Sequence, residues 1–191
     1  MSQRRWVGAG GRRVPIVLCM GCLVLACFRP PEVADPRGQG ELAAALASLP
    51  GVDRLEAATL AERAFVATAE LRDAYRPLAS PLLGNLAYHL GLRERALCCH
   101  WTRDLLHALT PLGVSGLSLH WAVAHHGNPL REHSSVVVVP TDGGLADGIV
   151  LDAWRDAGRL HWVEVADDRY PWQLHPRDVV RERLMCAGDL P

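Results

Sequence analysis

The hydrophobic pattern of this 191-residue chain changes its period near Leu117, and this change limits the possible folds more than any other feature. Before it, apolar residues recur at helical spacing in stretches at about 41–49, 53–75, 81–90 and 96–109. After it come short strand-like stretches at 117–125, 134–140, 148–154 and 159–165. Gly, Asn, Pro and Asp join these stretches, which predicts antiparallel hairpins. We therefore expect one α+β domain, with N-terminal helices packed on a four-stranded antiparallel sheet.

Residues 1–26 are typical of a secretory leader. Four arginines precede an apolar run of thirteen residues, Val14–Ala26, which is too short for a bilayer core of about 30 Å. The run ends in VLAC at residues 24–27, which resembles the bacterial lipobox, whose cysteine is lipidated and becomes the new N-terminus. This resemblance implies a signal peptide over 1–26 and a lipid on Cys27. The alternative is a short N-terminal anchor helix that is never cleaved.

The segment after Cys27 is rich in Pro, Gly and charge, so we expect residues 27–40 to be a flexible tether and 41–191 to be the folded domain. Without residues 1–26, which hold four of the twenty basic residues and no acidic one, sixteen basic residues face 21 acidic ones and the net charge is −5. An anionic domain does not bind the phosphate backbone of nucleic acid well. We therefore exclude nucleic acid as a partner.

Three cysteines remain after the leader and the lipidated residue, namely Cys98, Cys99 and Cys186. An odd number in an oxidising compartment leaves at least one free thiol, which indicates reactivity. A disulfide from Cys186 to either member of the pair is open at this point. If Cys98 were the partner, its thiol chemistry would be lost.

Helical geometry separates the two adjacent cysteines. Cys98 continues an apolar stripe with Trp101, Leu105 and Leu109, which we expect to face the sheet, while Cys99 points to a wetter flank. The first turn of a helix also has free N–H groups that favour a negatively charged sulfur. Cys98 is therefore our candidate nucleophile, although the sequence leaves Cys99 open.

A thiolate nucleophile needs a base, and the base needs a group that fixes its tautomer. His133 stands at the entrance to the second predicted strand, and Asp152 lies within the third, so their side chains can meet across a hairpin. Asp152 interrupts an apolar strand, and a buried carboxylate needs a partner.

The order Cys, His, Asp on helix, strand and strand resembles the papain-like cysteine peptidase superfamily, in particular its transglutaminase-like and NlpC-type bacterial members. The resemblance covers about residues 84–165 and depends on LCCHW, EHSSVVVV and VLDAW; the chain is also similar to proteobacterial lipoproteins of this type. It implies Cys98 as nucleophile, His133 as base and Asp152 as the orienting acid. Trp154 would shield the last two.

The superfamily often has a polar residue shortly before the nucleophile, which completes the oxyanion hole with the nucleophile's own N–H. Here Leu92 lies six residues before Cys98. Asn85, Tyr88 or His89 on the preceding helix could serve instead, and nothing in the sequence selects one of them.

The segment DDRYPW, residues 167–172, is turn-like and would either close one end of the cleft or cap the core.

A metal site is the competing chemistry, because cysteines and histidines are numerous around residues 98–126. Adjacent cysteines do not easily bind one ion, and neither a C-x-x-C nor an H-E-x-x-H motif occurs within residues 98–126. We therefore expect no metal and no cofactor.

Two functions follow as expectations. The first is a lipid-anchored hydrolase or acyltransferase of the cell envelope that forms an acyl-enzyme on Cys98. Phe28 rather than aspartate follows the lipidated cysteine, which favours the outer membrane with the domain facing the periplasm, and peptidoglycan peptides are then the expected substrate class. The second is a catalytically silent papain-like domain that binds peptide or protein partners.

Overall fold

The computed structural model describes residues 35–176, which form four α-helices followed by a five-stranded antiparallel sheet. The helices are α1 Pro36–Ala47, α2 Arg54–Tyr75, α3 Pro81–His89 and α4 Cys98–Leu109. The strands are β1 Leu117–Ala124, β2 His133–Pro140, β3 Ile149–Asp152, β4 His161–Glu164 and β5 Trp172–Leu174. The α+β class and the order of helices before strands are confirmed. The predicted leader over 1–26, the lipidated Cys27 and Cys186 lie outside the described residues.

Helix α1 begins at Pro36, inside the segment that we expect to be a tether. Asp35 caps it by accepting a hydrogen bond from the N–H of Gly38 at 2.9 Å, and Pro36 is tolerated in the first turn. A Cβ at Gly38 would lie 3.2 Å from the ring of Phe65 on α2, so this glycine allows close helix packing. Gly38 and Gly40, which the sequence assigns to the tether, are therefore helical, and residues 36–40 belong to the domain.

Helix α2 begins where the sequence predicts, because the Asp53 side chain accepts hydrogen bonds from the N–H groups of Leu55 and Glu56 at 2.7 and 3.3 Å. Its buried face consists mainly of alanines, which allow α1 to approach closely.

No helix within residues 35–176 is long and apolar enough to cross a membrane.

The sheet has the order β4-β3-β2-β1-β5, so consecutive strands from β1 to β4 form a meander of antiparallel hairpins, as predicted. The number of strands is wrong by one, since β5 pairs with β1 at the free edge. Strand β5 has only three residues and follows Pro171, so its sequence carries no alternating pattern. Its existence depends on the open edge of β1 rather than on its own composition.

The main core lies between helices and sheet. Helix α4 contributes Trp101, Leu105 and Leu109, all buried, which confirms the predicted stripe. Strand β2 is buried along all eight residues, with Val136 and Val138 on the helix side and a smaller cluster around Val137 and Val139 on the other. Each such side chain contributes about 1.5–3 kcal/mol on full burial, so β2 is the anchored centre of the sheet.

Candidate active site

Cys98 is the first residue of α4 and is half-buried with a free thiol. The turn before it is held by His100, whose Nδ1 accepts hydrogen bonds from the N–H groups of Ala96 and Leu97 at 3.3 and 3.2 Å. Because Cys98 begins the helix, its own N–H has no carbonyl partner within α4. The thiol therefore lies beside an N–H group that can donate to a bound oxygen.

Cys99 is disulfide-bonded, and its partner lies outside the described residues. This separates the two adjacent cysteines chemically, since only Cys98 has a titratable thiol. The expectation of a wetter flank around Cys99 is wrong. Thr102 and Leu106 on the same side are buried, and Cys99 itself packs against the main core.

His133 and Asp152 meet where β2 begins and β3 ends. The register of the two strands, with Val136 opposite Leu151, puts the two side chains diagonally across the ladder on one face. His133 Nε2 lies 2.6 Å from Asp152 Oδ2, and the side chains are only 3% and 1% exposed. The predicted contact between the His133 and Asp152 side chains is therefore present.

The Asp152 carboxylate is fixed by groups on both oxygens. Oδ1 accepts from the N–H groups of Trp154 and Arg155, each at 3.0 Å, and Oδ2 accepts from Arg155 Nε at 3.1 Å as well as contacting His133. Burial raises the pKa of Asp152, but the hydrogen bonds and the positive charges of His133 and Arg155 outweigh it and lower the pKa below its usual value. Asp152 is therefore a charged and immobile acceptor.

The second ring nitrogen of His133 is available to Cys98. Nδ1 is buried and makes no hydrogen bond of regular geometry, and the Cys98 thiol is close enough to stabilise the charged ring. Burial lowers the pKa of His133, whereas the Asp152 hydrogen bond and the interaction with Cys98 raise it, to about 10. Catalytic hydrogen bonds are often loose until substrate binds, so this arrangement fits a thiol–imidazole pair.

Aromatic rings surround the imidazole of His133. The ring centroids of Trp154, Tyr170 and Trp172 lie 4.9, 4.9 and 5.5 Å from that of His133. Trp154, which the resemblance implies as a shield of the histidine, lies against its ring. Segment 167–172, left open by the sequence, brings two of its rings against His133.

The three oxyanion candidates on α3 are placed differently. Asn85 is half-buried, and its Oδ1 accepts a hydrogen bond from Trp154 Nε1 at 3.3 Å. Tyr88 packs edge-on against His100, with ring centroids 5.1 Å apart, and His89 is exposed beside it. Among the three, Asn85 is the one that contacts a ring lying against His133.

Two charged residues of the site are missed by sequence reasoning. Arg155 contacts Asp152 and also forms two hydrogen bonds with Asp168, at 3.1 and 2.7 Å. The available signal was chemical: a carboxylate inside an apolar strand needs a cation, and Arg155 follows it by three residues. Asp168 carries no such signal, because it is one of several acids in a turn.

No family model, curated protein or solved structure matches the chain.

Within residues 35–176, no three His, Cys, Asp or Glu side chains are close enough together to bind a metal ion. The site brings together a free thiol, an imidazole and a fixed carboxylate, which are the groups that nucleophilic chemistry at a cysteine requires.

Proposed function

We propose that this protein is a cysteine-dependent amide hydrolase or acyltransferase of papain-like fold, with Cys98, His133 and Asp152 as its catalytic residues. One observation carries the proposal: the imidazole of His133, which interacts with the free Cys98 side chain, has its Nε2 2.6 Å from a buried carboxylate. Such a triad is recognised by geometry and roles rather than by sequence position.

In the first step the Cys98 sulfur attacks the amide carbonyl carbon and forms a C–S bond, while its proton resides on His133 Nδ1. The C–N bond then breaks, and His133 gives that proton to the leaving amine. Water or an acceptor amine next attacks the thioester, loses a proton to His133 and releases Cys98, to which the proton returns. Asp152 keeps Nε2 protonated and the ring oriented throughout, so that Nδ1 exchanges the proton.

The negative oxygen that develops on the carbonyl needs donors within about 3 Å. The N–H of Cys98 is one, since the first residue of a helix has no intrahelical acceptor. Asn85 Nδ2 is our choice for the second. Trp154 Nε1 donates to Asn85 Oδ1. The NH₂ group of Asn85 is not used in this contact, so it can donate to the oxygen of a bound substrate.

We further propose that a lipid on Cys27 anchors the domain to the outer membrane of a bacterial envelope, facing the periplasm. The anchor limits substrates to those within reach of the membrane surface, and peptidoglycan peptides supply amide bonds there. Cys27→Ala tests the anchor: the altered chain should no longer incorporate labelled palmitate. Incorporation that persists refutes lipidation at this residue.

Iodoacetamide labelling of the purified chain at graded pH tests the catalytic pair. We expect Cys98 to alkylate near neutral pH at least about tenfold faster than a model thiol, whose pKa is about 8.5, and His133→Ala to abolish the excess. Asn85→Ala should leave alkylation intact and reduce turnover, because an oxyanion donor acts only after attack. Ordinary Cys98 reactivity that does not depend on His133 would instead indicate a silent, peptide-binding domain.

A further inference from the structure

Arg155 joins two carboxylates that come from different parts of the chain. Its Nε donates to Asp152 at 3.1 Å, while Nη1 and Nη2 donate to the two oxygens of Asp168 at 3.1 and 2.7 Å. Nη1 is also 3.0 Å from Nε2 of His161 on β4. The guanidinium is only 12% exposed, so one rigid planar group links β3, β4 and the turn before β5.

Asp168 is held as firmly as Asp152. Its side chain is 3% exposed, and Oδ2 also accepts from Trp172 Nε1 at 3.0 Å. Burial raises the pKa of Asp168, but the hydrogen bonds from Arg155 and Trp172 outweigh it and lower the pKa. A buried carboxylate with these partners is a fixed anchor rather than a solvated surface charge.

This anchor fixes the aromatic rings over the base. Residues 168–172, from Asp168 to Trp172, contain Tyr170, and the guanidinium carbon of Arg155 lies 4.9 Å from the centre of that ring. Tyr170 and Trp172 in turn lie against His133. The ion pair thus connects the carboxylate that contacts His133 with two of the rings that lie against it.

We propose that Arg155 and Asp168 are positioning residues of the site: Arg155, fixed by Asp168, holds Asp152 against His133 Nε2, and the same ion pair holds Tyr170 and Trp172 over the imidazole. This inference rests on the proposed function, in which Cys98 and His133 form a reactive pair. It deepens that function, because it assigns control of the reactivity of Cys98 and His133 to the Arg155–Asp168 ion pair.

Lysine cannot replace Arg155 in this role. The two carboxylates are bound through different nitrogens of one planar fork, and an ammonium is a single point with no such geometry. Without either partner, the backbone N–H groups still hold Oδ1 of Asp152, but Oδ2 is held less firmly at Nε2, and the imidazole then supports the thiolate less well.

The test compares the pH dependence of Cys98 alkylation in the full chain and in Arg155→Gln, Arg155→Lys and Asp168→Asn. We expect all three to raise the pH midpoint of alkylation by about one unit toward that of a free thiol, and to reduce the rate at pH 6 about tenfold. Circular dichroism at the assay temperature establishes that each variant is folded. Asp168→Asn removes one charge and keeps the size of the side chain. If the Arg155 variants do not fold, this variant alone tests the positioning role.

Arg169→Gln is the matched control. The Arg169 guanidinium lies 5.2 Å from the same Tyr170 ring and takes no part in the Asp152 and Asp168 contacts, so its replacement should leave the midpoint unchanged. Folded Asp168→Asn with the wild-type profile overturns the inference while leaving the proposed function intact. Unactivated Cys98 in the unaltered chain overturns the proposed function and the inference together.

Discussion

Replacing Asp152 by asparagine changes one atom of the site, and its effect can be worked out from the contacts of the two oxygens. Oδ1 accepts two backbone N–H groups, whereas Oδ2 faces His133 Nε2 and Arg155 Nε. If the amide oxygen stays at the position of Oδ1, the new NH₂ faces Arg155 Nε, a donor that thereby loses its acceptor. His133 can still accept from this NH₂ through an unprotonated Nε2. If the amide turns over, the NH₂ faces two donors that lose their acceptor, the backbone N–H groups of Trp154 and Arg155.

Each opposed donor loses a hydrogen bond worth about 1–3 kcal/mol in a buried site. The unturned amide is therefore favoured by about 1–3 kcal/mol, and the turned amide is roughly 5 to 150 times less populated. In the favoured state the NH₂ donates to His133 Nε2, which must then be unprotonated, so the proton of the neutral ring lies on Nδ1. That tautomer cannot accept a proton from Cys98.

We expect Asp152→Asn to lower the rate of Cys98 alkylation at pH 6–7 by about one to two orders of magnitude, in line with that population. The assay is single-turnover alkylation followed by mass spectrometry at Cys98. Asp156→Asn is a matched control, because Asp156 lies on the turn after β3 and pairs with Arg159 and His161. A folded Asp152→Asn protein that alkylates like wild type refutes the argument that the two backbone N–H groups fix the tautomer.

Three further outcomes are expected. The pKa of His133 is raised from 6.5 to about 10, so its stabilising contribution is complete below pH 6.5 and is lost as the pH rises through 10; urea unfolding of His133→Gln should therefore lose less stability over that interval. Gly148→Ala places a Cβ 2.7 Å from Val139 and should destabilise by about 1–3 kcal/mol in thermal unfolding, whereas Gly40→Ala, with open space on α1, should stabilise by about 0.5–1 kcal/mol. Cys99→Ser should lower stability by about 2–4 kcal/mol and leave Cys98 alkylation unchanged; loss of that reactivity would tie the site to the disulfide.

Much of the fold was predictable because its signals are local. The cap of α2 at Asp53, the buried stripe of α4 and the hairpins of the meander each follow from a few neighbouring residues. Helix α1 begins earlier than predicted because Asp35 caps it at Pro36, a local signal that the glycine-rich composition concealed, and because Gly38 allows close packing on Phe65, which local composition does not reveal. Strand β5 exists only through the edge of β1, and a three-residue pattern carries no such information.

The contact between His133 and Asp152 was predictable for a different reason: both residues, like Cys98, occupy element ends, where chain order alone restricts the geometry. His133 opens β2 and Asp152 closes β3, so the hairpin brings them together. Arg155 and Asp168 are thirteen residues apart and meet through the packing of a turn against β3, which no spacing rule predicts. The choice between Cys98 and Cys99 likewise depended on a disulfide that the sequence left open.

The disulfide on Cys99 also has a consequence for how the protein matures. In an unfolded chain either of two adjacent thiols can form such a bond, and only the bond to Cys99 leaves the proposed nucleophile Cys98 reduced. Once α4 forms, successive side chains point about 100° apart around the helix, and the core holds Cys99 in place. In the proposed function, a chain oxidised at Cys98 instead of Cys99 therefore has no nucleophile from the moment it folds.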